Sequence, residues 1–171
     1  MSAARRLLIV GGIALALLGM IYGVWYAVFA EHQELDGIGR SLTTSFTMAA
    51  QRNPAAAADA LAQYREQKYA YDRHVDVHGH WIGLAMLLIV LGFAFDQVGF
   101  GKKTKMALAR SLLAGAFLFP LGVLLQTLSH GSGPRVLAVA GSALVTASLA
   151  LVMLGITRRP RTFPYESVSK K

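Results

Sequence analysis

The sequence predicts an all-α membrane protein, an up-down bundle of four transmembrane helices with a helical outer segment between the first and second. Three observations predict it: four long charge-free apolar stretches, an excess of basic residues in alternate connecting segments, and helical spacing in the one long polar segment. Of the 171 residues, 54% are hydrophobic and 15% charged, an unusual balance for a soluble globule. The apolar residues are also clustered, with no charged side chain in the 24 residues from Leu7 to Ala30, the 19 from Val77 to Phe95, the 19 from Ser111 to Ser129 or the 22 from Val136 to Thr157. About 20 helical residues cross the ~30 Å hydrocarbon core, and a helix satisfies its own backbone polar groups there. The chain therefore reads as one membrane domain, 1–171, with spans at about 7–30, 77–97, 108–129 and 136–157 and an outer segment at 31–76.

The net charge of +8 forms no nucleic-acid-binding stripe. Eleven of the seventeen basic residues and two of the nine acidic ones lie before the first span, between the second and third, and after the fourth, a net of +9. The alternate segments hold Arg40, Arg52, Arg65, Lys68, Arg73 and Arg135 with seven acidic residues, a net of −1. This positive-inside asymmetry predicts a multi-pass protein of a bacterial-type cytoplasmic (inner) membrane, with both termini cytoplasmic. Trp25, Tyr26 and Trp81 fall where an outer aromatic belt belongs. With no cysteine, disulfides, thiolate metal sites and iron–sulfur clusters are excluded.

Taken in order, the first span follows Arg5 and Arg6 and ends near a Val28-Phe29-Ala30 motif that a signal peptidase could accept. Its apolar stretch exceeds the usual h-region, so it is expected to stay as a span. Gly19-x-x-x-Gly23, with Gly12 and Ala16, offers a small-residue face for helix packing. In the outer segment, Gly37 and Gly39 are expected to mark a turn and Ser41 to Gln51 a short helix. Asn53-Pro54 is an N-cap followed by proline at the first helical position. Leu61, Tyr64, Lys68, Tyr71, Val75 and His78 continue in steps of three and four, so this helix is expected to run unbroken into the second span. Pro120 is expected to kink the third span. Gly141, Ser142, Ala143 and Ala147 make the fourth a packing helix. Short loops make neighbouring spans antiparallel.

All five histidines fall on the outer side: His32 past the first span, His74, His78 and His80 entering the second, and His130 leaving the third. His74 and His78 share a helical face, whereas His78 and His80, two apart, project about 200° from one another. Imidazole ligates haem iron, copper and zinc, and bundles hold such groups between histidines of neighbouring helices. His78 or His80 with His130 suits that arrangement. Gly79 and Gly83 beside them would admit either a flat macrocycle or another helix. Arg73 and Arg135 could pair with haem propionates. A site of His74, Asp76 and His32 would instead suit copper or zinc. Asp96, Gln97 and Gln126 are lesser polar candidates, with Asp96 read as an interface residue beside the Lys102 to Lys105 loop. No phosphate loop, nucleophile–base pair or carboxylate dyad is present.

The run His78-Gly79-His80-Trp81-Ile82-Gly83-Leu84-Ala85-Met86, continued by Leu87 to Leu91, resembles the second helix of haem–copper oxidase and nitric oxide reductase catalytic subunits. It also resembles a helix of small four-helix membrane proteins related to them. The resemblance implies that His78 is an axial ligand of low-spin haem, or His80 where a His-x-His form is used. It covers about 15 residues, and the chain lacks the further helices and histidine cluster of a complete oxygen- or nitric-oxide-reducing centre. Three functions follow as expectations. One is a haem b protein passing electrons, as a respiratory-chain component, between a quinone or periplasmic carrier and a partner. The others are a copper- or zinc-binding membrane protein, and a non-catalytic accessory or assembly subunit docking partner subunits or another copy. A cytoplasm-dependent reporter should work at Lys103 and fail at Asn53, and the reverse pattern would overturn the orientation.

Overall fold

A helix of 41 residues organises the chain. The computed structural model describes residues 1–129 and 131–158, which form α1 (Ala3–Phe29), α2 (Glu31–Ala50), α3 (Pro54–Ala94), α4 (Lys102–Leu128) and α5 (Ser132–Thr157), with one 3-10 turn at Phe95–Gln97. No strand occurs among the described residues. Four of the helices, α1, α3, α4 and α5, are long and apolar enough to cross a membrane. Many of their large apolar side chains, including Ile13, Ile21, Val24, Val90 and Phe93, point outward, as helices bathed in lipid require. The expected all-α membrane bundle is thus the architecture found.

At 1.5 Å per residue α3 is about 60 Å long, twice the hydrocarbon thickness. Its first half is a stalk and its second half a span, joined without a break near Asp76 and Val77. Asn53 caps it as the sequence predicts, Oδ1 accepting from the Ala56 N–H at 3.2 Å, with Pro54 in the first turn. α2 folds back along the stalk: Ser41 Oγ donates to Gln67 Oε1 at 3.0 Å and Ser45 Oγ to the Ala57 carbonyl at 3.0 Å.

Two expectations need correction here. Gly37 and Gly39 mark no turn, because α2 is helical from Glu31 onward, separated from α1 by Ala30 alone. Gly37 serves contact instead, since a Cβ there would lie 3.2 Å from the Gln67 amide. Nor do all three aromatics form a belt. Trp25 is 48% exposed, but Tyr26 and Trp81 are buried between α1 and α3, because their helical positions fall on the packed faces rather than the lipid-facing ones.

α1 packs on α3, α3 on α4, and α4 most extensively on α5. The last pair meets through glycine: added methyls on Gly122 and Gly141 would overlap the backbone of Ala138 and Phe119 respectively, the close approach that small residues allow between membrane helices. Of the small residues expected to pack α5, Gly141 does so, while Ala143 and Ala147 are exposed. Pro120 is buried within an α4 that continues to Leu128. Leu8, Leu88, Phe95 and Leu112 are fully buried where α1, α3 and α4 meet. At the end of the bundle away from the stalk, Asp96 joins three segments. It accepts from Ser2 Oγ, lies 3.5 Å from Arg5 Nη1, and its carbonyl accepts from Lys105 Nζ at 2.9 Å. Asp96 lies beside Lys105, the neighbour expected for it.

The turn between α2 and α3 stores strain at one residue. Arg52 has φ 57°, while the Asn53 N–H donates to the Met48 carbonyl at 3.0 Å and the Arg52 N–H to that of Ala49 at 2.9 Å. This is the Schellman pattern with arginine where glycine is favoured. Arg52→Gly should stabilise the hairpin by about 1 kcal/mol, seen as slower hydrogen exchange in α2, and Arg52→Val should weaken it. Faster exchange in the glycine variant would contradict this account of the cap.

Candidate functional site between the first and third helices

The polar side chains on the stalk-side half of the spans concentrate where α1, α2 and α3 meet. His74 and His78, one turn apart on α3, both face α1, as their spacing predicts. His74 Nδ1 lies 2.5 Å from the Tyr22 hydroxyl, and its Nε2 lies 3.6 Å from Glu34 Oε1 of α2. Tyr26, one turn beyond Tyr22, donates its hydroxyl to Glu34 Oε2 at 2.6 Å and stacks on the His74 ring at 4.9 Å. With Nε2–H turned toward the carboxylate, a contact longer than a hydrogen bond, Nδ1 is left as an acceptor and the Tyr22 O–H donates to it. Three helices are thereby tied through one imidazole.

His78 lies a turn deeper. Its Nδ1 is 3.0 Å from the Gly19 carbonyl oxygen, and its Nδ1–Cε1 edge rests against Gly23, where an added methyl would overlap it. The small-residue face of α1 therefore receives an imidazole as well as aliphatic side chains. Because a carbonyl only accepts, Nδ1 carries the proton of this bond, which is the tautomer that presents Nε2 as the ligating nitrogen. Trp81, three residues on, is 3% exposed, packs edge-on against Tyr22 at 5.4 Å, and has a buried indole N–H without a partner.

The remaining expected site residues are dispersed. His80 points away from His78, as the helical geometry requires, and its ring lies 4.7 Å from that of Phe119 on α4. Gly79 and Gly83 have nothing within 4 Å of an added Cβ, so no described helix covers them. Arg73 pairs with Asp76 at 3.4 Å and lies over the Tyr69 ring at 5.0 Å. Arg135 is exposed on the first turn of α5. His32 is exposed and 3.7 Å from Asp36, so His32, His74 and Asp76 each have separate partners. Among the described residues, no three histidine, cysteine, aspartate or glutamate side chains group closely enough to hold a metal ion. His130 lies outside the described residues. Gln126, earlier on α4, accepts from the Tyr69 hydroxyl at 3.2 Å, which sets that part of α4 level with the stalk, eleven residues before His80. Gln97 is exposed.

Tyr22, Tyr26 and Glu34 belong to this site although sequence reasoning does not single them out for it. The one local signal is the four-residue spacing of the two tyrosines, which puts them on one face of α1. No protein-family model, curated protein or solved structure matches this chain. What is defined is a multi-pass helical membrane protein with a tyrosine–histidine–glutamate network above a half-buried, oriented histidine.

The network should be energetically coupled. In a double-mutant cycle, Tyr26→Phe and Glu34→Gln should show about 1 kcal/mol of interaction, read from unfolding in a mild detergent. Additive effects would mean that the Tyr26–Glu34 hydrogen bond contributes nothing to holding α2 against the bundle.

Proposed function

We propose that this protein is a membrane haem b protein serving electron transfer, with His78 as one axial ligand. The observation that carries the reading is the His78 Nδ1 hydrogen bond to the Gly19 carbonyl. Ligating histidines are commonly held in this way, with the second nitrogen's proton on a backbone carbonyl so that the ring is oriented and the lone pair lies on Nε2. The residues fit one position of such a group: the imidazole is fixed, its Nε2 is free to coordinate, and the partnerless Trp81 indole N–H is a donor for something polar. Haem would supply one-electron chemistry, and the chain's own residues would set its orientation and exclude water. The similarity of residues 78–91 to the low-spin haem helix of the oxidase superfamily supports the same residue.

For the second axial position the sequence offers His130; the Tyr69–Gln126 bond sets the end of α4 nine residues before His78 on α3, so His130 is the part of the proposal that the variant spectra test most severely. His80 is turned toward Phe119 and His74 is engaged by Tyr22 and Glu34. A quinone in the bilayer or a periplasmic electron carrier would be the electron partner, in the setting of a respiratory chain. Copper or zinc on the same Nε2 is the competing occupant, and a cofactor-free accessory subunit the competing class.

The visible spectrum and metal content of detergent-solubilised protein, made with ample haem, decide among these. Wild type should show a Soret band and low-spin features, His78→Ala and His130→Ala should lose them, and His80→Ala should keep them. Gly23→Ala, by pushing on the His78 ring, should shift the bands. A colourless wild type, or an unchanged spectrum in His78→Ala, would overturn the assignment.

A further inference from the structure

At the opposite end of the bundle the structure contains a groove whose chemistry is unrelated to the histidines. It lies between α1 and α4, encloses about 500 Å³, and is lined by both Arg6 and Arg110, with Leu7, Val10, Gly11 and Ala14 running from them toward the membrane centre. We propose that this groove binds an anionic phospholipid of the adjacent leaflet, its phosphodiester on the two guanidinium groups and an acyl chain along the apolar wall.

Charge complementarity argues for this occupant. Arg110 is in the ninth position of α4, about two turns inside the helix, and the charge-free stretch begins at the next residue. A cation at that depth requires an anionic partner or a path back to water. No acidic side chain lines the groove. Among the described residues the one carboxylate on this side of the spans is Asp96, already engaged by Ser2 and Arg5. Guanidinium donors match phosphate oxygens in pairs, and basic pockets between membrane helices are where anionic headgroups bind. Lys102 and Lys105 line a second groove of about 490 Å³ that shares Ala3 and Met106 with the first, so the positive potential extends beyond the two arginines.

The wall beneath the arginines has the form an acyl chain needs. Its α1 residues recur in steps of three and four, forming a single stripe along the helix. Its floor is closed because Leu113 of α4 is seated on Gly11, where an added Cβ would fall 2.8 Å from both leucine methyls. Val10 and Ala14 are themselves exposed, so that edge of the stripe is uncovered by any described helix. A free phosphate ion would use the arginines but gain nothing from this stripe.

Native mass spectrometry and thermal unfolding of the full-length protein in mild detergent test the site. Phosphatidylglycerol, phosphatidylcholine with the same acyl chains, and inorganic phosphate are added separately. Phosphatidylglycerol should be retained and raise the melting temperature more than phosphatidylcholine does, while phosphate should leave it unchanged. The Arg6→Gln/Arg110→Gln variant should bind phosphatidylglycerol about tenfold more weakly, the loss expected for charge-assisted hydrogen bonds. Ala14→Trp, which fills the groove and keeps both charges, should also lose retention, with helicity by circular dichroism verifying that each variant is folded. Equal retention of the two lipids, unchanged binding in the folded double-arginine variant, or stabilisation by phosphate equal to that by lipid would overturn the proposal.

Discussion

An uninterrupted helix that begins in water and ends in hydrocarbon must present two kinds of surface along one axis, and α3 does this. Its first half is polar and receives α2; its second half is apolar and receives α1 and α4. Backbone hydrogen bonds within the helix are what permit the crossing, since a break at the boundary would leave carbonyls and amides without partners just where water runs out. The positions of the other helices follow from this axis. α1 lies against its apolar half, Ala30 redirects the chain so that α2 lies against its polar half, and α5 is held chiefly through α4.

Along the α1–α3 seam, side-chain size and polarity are matched turn by turn. Glycines on α1 leave room for the His78 ring and give its Nδ1 a carbonyl to bond. One turn toward the stalk, tyrosines replace glycines and the partner is His74, whose second nitrogen reaches Glu34. The effect is a gradient: a carboxylate at the water-facing end, phenols and an imidazole next, and a single imidazole bonded to backbone where the seam becomes apolar. Such an arrangement orients each ring by its neighbour, with Trp81 closing the inner side against Tyr22. Loosening α2 would therefore affect His74 first and His78 only through the packing between them.

Periodicity makes much of this fold legible in the amino-acid sequence. Span lengths, the capped start of α3, its unbroken course and the opposed directions of His78 and His80 all follow from local rules of rise, rotation and capping. The partners of His74 do not, because Tyr22 and His74 are 52 residues apart and nothing local marks a phenol as facing an imidazole on another helix. Glu34, judged by its neighbours in the chain, is one more loop charge for the same reason. Gly37 and Gly39 mislead because glycine signals a turn when judged locally, whereas packing against the stalk and continuity from α1 carry α2 through them. Trp81 misleads because depth alone suggests a belt residue, and the side of the helix decides otherwise.

The seam also has a history in time. α1 and Glu34 are synthesised before His74, so on leaving the ribosome the first span carries two phenols near its C-terminal end with no imidazole beside them. Tyr26 meets its acceptor Glu34 within the same nascent hairpin, whereas Tyr22 waits for His74, 52 residues away. The seam thus closes by one local contact and one distant one, and the distant one carries the larger cost in chain entropy.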